Sequence, residues 1–385
     1  MTPSPQVLSC FAVVTPGLES FAIAEAEALG LKPVAEPGGF AWQGRAESAL
    51  VANVGLRIAS RVLMRLATFE ARSFAELERH ARKIEWARVV GPGESVRFRV
   101  TCKKSKLYHS DAVAQRLADA VKRALPGVHA AGASIGDDDS NEAPEDAALI
   151  VVRVMRDRCT VSADTSGALL HRRGYRLAST KAPLRETIAA AMLAASGWDR
   201  TSPLVDPLCG SGTIPIEAAL LARGISPGAH RTFAMERWPV VERGLGEVVR
   251  NRLSGGISSD DGAIIMASDR DEGAITSTIE NATRAGVQGD IRCDARSLSD
   301  AIFPPAAEGW VVTNPPYGVR VGDADRVRDL WAQLGNVLRD RASGWHLAVL
   351  SPDPALDRQL RIPLDPAASL SNGGIPVRIL VGRVP

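Results

Sequence analysis

The sequence has few cysteines, little net charge and no long apolar run. Its five cysteines are far apart in the 385 residues and include no Cys-x-x-Cys pair, which argues against a disulfide framework and against a structural zinc site. No segment holds the ~18 uninterrupted apolar residues of a membrane span, and the first ten residues lack the basic stretch and apolar run of a secretory signal. We therefore expect a cytoplasmic protein without a bound metal or a membrane segment.

The formal net charge is only +2. This is too small to indicate nucleic-acid binding by itself, because binding to phosphates depends on local clusters of Lys and Arg. Two such clusters occur, at 97–109 and 171–176, and neither contains an acid. A cluster of this kind is either a nucleic-acid contact or the solvated face of a strand or helix. We predict nucleic-acid contacts for Arg99, Lys103, Lys104, Lys106, Arg172, Arg173 and Arg176.

Length and pattern indicate more than one domain. A chain of 385 residues, 45% of them hydrophobic, has enough apolar surface for two or three cores. The first part alternates short strands and helices and ends near residue 68, which is typical of a small α+β domain. A second unit ends in two strands at 148–155 and 158–164. From about residue 180 strands alternate with helices, which predicts a parallel or mixed sheet with ligands at the carboxyl ends of its strands.

A glycine turn at 205–214 carries the strongest cofactor signal. A strand that ends at Asp206 leads into Gly210-Ser211-Gly212-Thr213, and a helix follows. Glycines there let the backbone pass close to a ligand. Pro215 stands where a dinucleotide fingerprint has its third glycine, and no Gly-Lys-Ser/Thr follows, so neither a dinucleotide turn nor a phosphate-binding loop is indicated. Asp206 is suited to the ammonium group of a methionine-like ligand, and the alternative is a purely structural turn.

Acidic residues also follow the next two strands. Asp269 and Asp271 end one apolar run, and a carboxylate there can accept hydrogen bonds from both ribose hydroxyls, although Asp269 is equally typical of a helix N-cap. Asp294 follows a third run and is placed to accept from an adenine amine, with a simple turn residue as the alternative. Asp269 follows Asp206 by 63 residues, against about 20 in a compact dinucleotide unit. The spacing predicts an insertion, and residues 224–262 are the candidate segment.

The decisive motif is Asn314-Pro315-Pro316-Tyr317, directly after an apolar run. Two successive prolines continue neither a sheet nor a helix, so they end the strand rigidly and fix the direction of the Asn314 amide oxygen and the Pro315 carbonyl. Two acceptors on the hydrogens of an exocyclic base amine would localise its lone pair toward an activated methyl group, and Tyr317 can stack on the base. Catalysis would consist mainly of positioning, without a His or Cys nucleophile.

Three segments, 181–186, 206–217 and 314–318, together resemble the THUMP-domain RNA guanine-N2 methyltransferases, class I enzymes that use S-adenosylmethionine. At the front, 16–19 and 57–63 are similar to the family's ferredoxin-like domain. Residues 164–176 look like the end of its THUMP domain and the entry to the catalytic domain. The segment 222–228, with Phe233 and Trp238, is similar to an insertion of the branch that methylates large-subunit ribosomal RNA.

The resemblance implies an α/β architecture in three parts. These are an α+β ferredoxin-like domain at 1–68, a THUMP RNA-binding domain at 69–172, and a Rossmann-like methyltransferase domain with a mostly parallel seven-stranded sheet at 173–385. It implies S-adenosylmethionine as the cofactor and Asn314 to Tyr317 as the catalytic residues. The residues that it implies for cofactor binding are Ala182, Pro183, Asp206, Cys209, Gly210, Gly212, Thr213, Asp269, Asp271, Asp294, Ala295 and Asn314.

We therefore expect methyl transfer to N2 of a guanine in RNA, specifically in large-subunit ribosomal RNA, without an obligate protein partner. One alternative is a transfer-RNA guanine-N2 methyltransferase of the same architecture, against which the insertion argues. A second is a DNA adenine methyltransferase with the same Asn-Pro-Pro-Tyr acceptors, against which the THUMP resemblance argues. A third is a binding-only RNA remodelling protein, which the intact Asp206, Asn314 and Tyr317 disfavour.

Overall fold

The computed structural model describes residues 7–91, 93–134, 147–177, 184–254, 262–306, 308–317 and 324–385. Contacts divide the chain into two compact units. The first unit comprises Met1–Val13, Ala26–Leu170 and Arg231–Arg252, and the second comprises Val14–Glu25, His171–His230 and Leu253–Pro385. Neither unit is one continuous stretch of sequence, because the chain passes between them more than once.

Ten α-helices lie in the described ranges. They are α1 (Glu19–Ala28), α2 (Ala46–Gly55), α3 (Phe74–Ala81), α4 (Ser110–Ala124), α5 (Glu186–Ser196), α6 (Thr213–Ala222), α7 (Leu245–Leu253), α8 (Glu272–Arg284), α9 (Ala324–Arg341) and α10 (Pro354–Leu360). Short 3₁₀ turns occur at Trp86–Arg88, Ala234–Arg237, Gln288–Asp290 and Leu298–Asp300. A left-handed Gly197 ends α5, as is common at helix C-termini.

The first unit is built on an eight-stranded sheet. Its strands are β1 (Leu8–Val13), β2 (Val34–Glu36), β3 (Gly39–Gly44), β4 (Arg61–Glu70), β5 (Ser95–Lys103), β6 (His129–Ser134), β7 (Ala147–Met155) and β8 (Arg158–Asp164). Across the sheet they are ordered β2-β3-β1-β4-β8-β7-β5-β6. Val96 and Phe98 of β5 are buried and alternate with the less buried Arg97 and Arg99, as expected when successive side chains point to opposite faces.

The predicted boundary between residues 68 and 69 falls inside β4. This strand pairs antiparallel with β1 on one side and with β8 on the other. Residues 1–68 and 69–172 therefore contribute to one continuous sheet, and their separation into two domains stays a prediction. β7 and β8 lie where the sequence predicts a strand pair, and Arg156 and Asp157 form the tight turn between them with φ of 51° and 65°.

The insertion after Asp206 contributes residues 231–252 to the first unit. The Arg231 guanidinium donates to the Ala168 carbonyl at 2.7 Å, and the Met235 amide donates to the Thr165 carbonyl at 3.1 Å. Met235 is fully buried. Residues 231–252 of the predicted insertion are thus part of the first unit's packing, whereas its two ends belong to the second unit.

The second unit is a seven-stranded sheet covered by helices. Its strands are β9 (Leu204–Asp206), β10 (Ile265–Asp269), β11 (Ile291–Ala295), β12 (Trp310–Thr313), β13 (His346–Ser351), β14 (Asp365–Asn372) and β15 (Ile375–Arg383). The order is β11-β10-β9-β12-β13-β15-β14. The first five strands pair in parallel, and β15 runs antiparallel to both β13 and β14. This is the mostly parallel seven-stranded sheet that the family resemblance implies, and it agrees with the parallel or mixed sheet predicted from the alternating pattern.

The core of the second unit explains why its central strands are apolar on both faces. Val205, Val311 and Leu347, on three adjacent strands, pack with Trp331 and Leu334 of α9. Helices on both sides of a parallel sheet leave no solvent-exposed face, so the strands are continuous apolar runs. The carboxyl ends of β9, β10, β11 and β12 consequently meet at one edge. Among the described helices, none is long and apolar enough to cross a membrane.

Candidate active site

The glycine turn between β9 and α6 has the geometry of a close backbone approach. Gly210 and Gly212 have φ of 54° and 81°, a region that residues with side chains rarely adopt. A Cβ added to Gly212 would lie 2.5 Å from Thr278 Cγ2, whereas one added to Gly210 would meet no atom within 4 Å. The turn is therefore packed against the protein at Gly212 and open at Gly210, the side on which a ligand can approach.

Helix α8 holds the carbonyls of this turn. The Thr278 hydroxyl donates to the Gly210 carbonyl at 2.9 Å, and the Asn281 amide donates to the Ser211 carbonyl at 3.1 Å. Both side chains are fully buried. Sequence reasoning missed these two residues, although their i, i+3 spacing places them on one helix face. They fix the peptide planes of the turn from behind.

Asp206 is buried at the end of β9 with 1% of its surface exposed. Its Oδ1 accepts from the Thr313 hydroxyl at 2.7 Å and from the Leu208 amide at 3.2 Å. Burial raises the pKa of this carboxyl to about 7, and the charge of Asp269 adds to the rise. Within the described ranges no Lys or Arg forms an ion pair with Asp206. A buried carboxyl without a cation is suited to bind a positively charged ligand.

Asp269 and Asp271, which the sequence leaves as alternatives, have different surroundings. Asp269 Oδ2 accepts from the Gly210 amide at 3.1 Å, and its Oδ1 accepts from the Asp271 amide at 3.0 Å. Asp271 Oδ1 accepts from the Gly273 amide at 2.9 Å and caps α8. The N-cap considered for Asp269 is therefore Asp271, while Asp269 joins the strand end to the glycine turn.

Asp294 and Ala295 lie beside these groups on β11. Their register partners on β10 are Ser268 and Asp269. Asp294 Oδ2 lies 3.5 Å from Arg296 Nε, and its side chain is 40% exposed. The structure thus brings Asp206, Asp269 and Asp294 to adjacent strand ends, as the sequence predicts. Ala182 and Pro183 fall outside the described residues.

A cleft of about 730 Å³ opens at this edge of the sheet. Its lining includes Leu208 of the glycine turn, Asp269, Leu298 and Pro316, and one wall belongs to α9. A further set of lining residues was not singled out from the sequence: Arg270, Ser297, Arg326, Val327, Asp329, Leu330 and Gln333. No motif marks them, since they come together only through folding. The volume is within the range of pockets that hold small molecules and cofactors.

The Asn-Pro-Pro-Tyr turn follows β12 directly. Asn314 Oδ1 is buried and has no hydrogen-bond partner among the described residues. The Trp331 indole donates to the Pro316 carbonyl at 3.2 Å, and the Asn372 amide donates to the Tyr317 hydroxyl at 2.9 Å. A buried acceptor without a donor costs about 1–3 kcal/mol. Such an atom at a strand end indicates a place for a ligand that brings its own N–H.

Two arginines of the basic cluster at 171–176 form ion pairs within the protein, whereas the sequence predicts contacts with nucleic acid. Arg173 is 7% exposed and its Nε lies 3.5 Å from Glu217 Oε1, to which the Tyr175 hydroxyl donates at 3.1 Å. Arg176 pairs with Glu186 at 3.0 Å. The nucleic-acid contact predicted for Arg173 is at odds with this burial, because its charge is already used inside the protein. For Arg176, only 14% exposed, the same reason argues against a phosphate contact.

The remaining predicted contacts divide by exposure. The side chain of Arg172 is exposed, as are those of Lys103, Lys104 and Lys106, whereas Arg99 is half-buried. The backbone beside the three lysines is held in place, since the Lys106 amide donates to Asp157 Oδ1 at 2.7 Å. No group of three or more His, Cys, Asp or Glu in the described part of the chain could hold a metal ion.

Comparisons with known proteins identify both parts of the chain. Residues 173–375 match a family model described as UPF0020, RMKL-like, methyltransferase domain, and residues 9–63 match the RlmL ferredoxin-like domain. These matches and the observed sheet confirm the predicted Rossmann-like methyltransferase fold behind a ferredoxin-like domain. These two matches lie outside residues 69–172, so the assignment of that segment to a THUMP domain stays a prediction.

Two relatives align with nearly the whole chain. The Synechocystis protein named "Putative RNA methyltransferase" is 34% identical over 372 residues, which are 96% of this chain and 95% of the relative. The ribosomal RNA large subunit methyltransferase K/L of Syntrophotalea carbinolica is 35% identical over 96% of this chain, but over only 53% of its own length. The chain thus spans about half of the K/L relative.

Two solved structures have the same fold over the full length. The crystal structure of SMU.472 complexed with SAH has a TM-score of 0.85 at 27% identity and covers 99% of both chains. A predicted N6-adenine-specific DNA methylase from Listeria monocytogenes has a TM-score of 0.84 at 28% identity, over 97% of this chain and 96% of its own. The bound SAH supports S-adenosylmethionine as the cofactor. With the family model matching more than half of its residues, the chain belongs to the UPF0020 family of RMKL-like methyltransferases.

Proposed function

We propose that this chain transfers a methyl group from S-adenosylmethionine to the exocyclic N2 amine of a guanine in RNA, with large-subunit ribosomal RNA as the substrate. The observation that carries the proposal is the buried Asn314 Oδ1, which has no partner among the described residues. The amine of a base would supply the missing hydrogen bond. A water or a backbone group would satisfy the atom equally well in a merely structural turn, so the test must address methyl transfer itself.

The acidic strand ends fit the groups of S-adenosylmethionine. Asp206, buried and without a cationic partner among the described residues, would hold the ammonium group in a charge-assisted hydrogen bond. Asp269 is the better candidate for the ribose hydroxyls, since it borders the cleft while Asp271 caps α8. Asp294 and Ala295, one strand further, would face the adenine. When bound, the cofactor supplies an activated methyl group on sulfur.

The residues of the Asn-Pro-Pro-Tyr turn would then act by orientation. Asn314 Oδ1 accepts from the target amine and Tyr317 stacks on the extruded base, while the two prolines keep the turn rigid. Orientation of this kind can lower the activation free energy by several kcal/mol, because reacting groups that are already aligned need no further ordering. No nucleophilic side chain is needed for transfer from an activated methyl group.

RNA as the substrate is supported by the names of the two relatives and by the exposed basic loop. Lys103, Lys104 and Lys106 are exposed on the first unit, where phosphates can reach them. We assign residues 69–172 to a THUMP RNA-binding domain because residues 164–176 resemble the end of such a domain. The K/L relative favours large-subunit ribosomal RNA over transfer RNA.

A DNA adenine methyltransferase is the second candidate. The fold match to the Listeria protein, described as a predicted DNA methylase, favours it, and Asn314 could accept from an adenine amine as well as from a guanine amine. The two candidates differ in substrate and product. Radiolabelled transfer to unmethylated large-subunit ribosomal RNA, transfer RNA and duplex DNA, followed by nucleoside mass spectrometry, separates them. We expect N2-methylguanosine in ribosomal RNA, and N6-methyladenine in DNA would overturn the proposal.

The variant Asn314→Ala tests the site. We expect methyl transfer to fall by about 10²-fold or more, the scale for one lost positioning group. Calorimetry should show S-adenosylmethionine binding close to that of the unmodified protein. Asn314→Asp keeps an acceptor and should keep part of the activity. Full activity in the Ala variant would contradict the assignment of Asn314.

A further inference from the structure

Tyr317 is held at its hydroxyl by a residue from a distant part of the sequence. The Asn372 side-chain amide donates to the Tyr317 hydroxyl oxygen at 2.9 Å, and both side chains are half-buried. The hydroxyl oxygen lies on the long axis of the tyrosine ring, so a hydrogen bond to it restrains χ1 and the direction in which the ring extends. The orientation of this ring therefore depends on Asn372.

Asn372 is well placed to act as a fixed support. It ends β14 and pairs with Ile375, and the two-residue turn between them is Gly373-Gly374, with φ of 58° and 84°. Positive φ at both central positions is the signature of a tight type I′ hairpin turn. The position of the Asn372 amide is thus set by the hairpin of β14 and β15 and not by a loop.

The edge of that hairpin is itself braced. β14 is the last strand of its sheet, and the chain at Gly17 packs directly on it. A Cβ added to Gly17, whose φ is 95°, would lie 1.9 Å from the Ser369 carbonyl oxygen, so the two backbones are in close contact. This contact also gives a physical reason for a glycine after Pro16. An edge strand supported in this way offers a firm base for Asn372.

Pro316, which precedes Tyr317 in the motif, is held by a different element, helix α9. The Trp331 indole nitrogen on α9 donates to the Pro316 carbonyl at 3.2 Å, and Trp331 is fully buried. The carbonyl of Pro316 and the ring of Tyr317 are thus fixed by side chains from two separate elements. Prolines alone restrict the backbone of the turn but leave the Tyr317 side chain free to rotate.

We propose that Asn372 is a positioning residue that holds the Tyr317 ring at the position where it receives the target base. The proposal rests on the proposed function, in which Tyr317 stacks on the extruded guanine. Stacking on an aromatic side chain is worth most when the ring is already oriented before the base arrives, because no rotational freedom is then lost on binding. Asn372 acts through Tyr317 and not on the base itself.

The first measurement needs no RNA. The sequence contains three tyrosines, Tyr108, Tyr175 and Tyr317, so ring-labelled tyrosine gives few NMR signals, and Tyr317→Phe assigns the third. In Asn372→Ala we expect the Tyr317 signal to shift and broaden while the other two stay unchanged. Asn336→Ala is the matched control, since Asn336 is exposed on α9 and bonds Arg339. An unaltered Tyr317 signal in Asn372→Ala would refute the proposal.

The second measurement is a double-mutant cycle in methyl transfer. Asn372→Ala and Tyr317→Phe should each lower kcat about fivefold, the effect of one lost hydrogen bond, while the dissociation constant for SAH changes less than twofold. The double variant should be no slower than the slower single variant, because both changes remove the same bond. Additive losses would show that Asn372 acts elsewhere. A protein that methylates no RNA at all would refute the proposed function and leave the NMR result to decide on Asn372.

Discussion

Two buried acidic sites in the second unit differ in what lies opposite each carboxyl group. Asp206 and Glu217 belong to the same motif and are each 1% exposed. Asp206 receives hydrogen bonds from a hydroxyl and a backbone amide, and in the described residues no cation pairs with it. Glu217 lies against the guanidinium of Arg173 and accepts from Tyr175. The proposed function gives the first carboxyl its positive charge from the cofactor, whereas the second is paired with a cation of the protein.

The pKa alone does not distinguish a ligand site from a structural one. Burial raises the pKa of Asp206 to about 7, and burial likewise raises the pKa of Glu186 to about 7, even though Arg176 opposes the shift. A perturbed pKa is therefore only a pointer to a functional site. The partner is more informative: a protein cation beside a buried carboxyl, such as Arg176 beside Glu186, indicates a structural pair.

The pair of Arg173 and Glu217 connects the segment at 171–176 with the motif at 206–217. Tyr175 adds to this connection, since its hydroxyl donates to Glu217 and its carbonyl accepts from Arg284 Nε at 2.8 Å. Arg284 also donates to Asn281 Oδ1 at 2.6 Å, and Asn281 holds the Ser211 carbonyl of the glycine turn. The segment at 171–176 is therefore connected to the glycine turn through Tyr175, Arg284 and Asn281.

The largest expected effect comes from breaking the structural pair. Arg173→Met should lower the free energy of unfolding of the second unit by about 3–5 kcal/mol, because it leaves Glu217 buried without a countercharge. Urea denaturation followed by tryptophan fluorescence measures this change. Adding Glu217→Gln should recover part of the loss, since the uncompensated charge is then removed.

A surface arginine serves as the control for that change. Arg223 likewise lies 3.5 Å from a carboxylate, that of Asp290, and it donates to the Gly286 carbonyl, but 43% of its side chain is exposed. Arg223→Met should cost at most about 1 kcal/mol, as exposed ion pairs do. Equal losses at Arg173 and Arg223 would show that burial does not make the difference we assign to it.

The next effect concerns the carboxyl without a cation. Asp206→Asn keeps an oxygen for Thr313 and Leu208 but removes the charge, so S-adenosylmethionine should bind about 10- to 100-fold more weakly. Isothermal calorimetry measures the affinity. Unchanged affinity would mean that the ammonium group of the cofactor lies elsewhere.

The same variant should be more stable than the unmodified protein in the absence of ligand at pH 8. Because the pKa of Asp206 rises from 3.8 to about 7 on folding, the folded state binds the proton more tightly, and stability from this group is lost as the pH rises from about 4 to 7. Asn carries no such penalty. Denaturation at pH 5 and pH 8 should show a gain at both, and the gain should be clearly larger at pH 8.

Much of the fold, and the strand and turn at the candidate site, could be predicted because their signals are local. The run before Asp206, the glycines after it and the prolines at 315–316 restrict the backbone within a few residues, whereas the binding roles of Asp206 and Asn314 stay predictions. The roles of Thr278 and Asn372 could not be predicted, since each contacts its partner across more than 50 residues. A hydrogen bond of this kind leaves no spacing pattern.

The basic cluster shows the same limit in reverse. Arg172 and Arg173 are neighbours of equal charge in the sequence, and nothing local indicates that one is exposed and the other buried. Their difference arises from Glu217, 44 residues after Arg173. Charge patterning predicts that a segment is basic, but only packing decides which of its charges can meet a phosphate.

The smallest expected effect separates these two arginines. If Arg172 contacts a phosphate, Arg172→Ala should reduce the slope of log K against log[salt] by about 0.7–0.9, the share of one contact, and weaken RNA binding similarly for every sequence. Arg173→Met should leave the slope unchanged at a temperature where the variant stays folded. In the unmodified protein the Arg173 charge is paired with Glu217 inside the protein and contacts no phosphate. Fluorescence anisotropy with a labelled ribosomal RNA fragment at several salt concentrations measures both. A slope that falls equally in the two variants would mean that Arg173 leaves Glu217 to contact the RNA. Glu217 would then no longer be a structurally paired carboxyl, and the contrast with Asp206 would not hold.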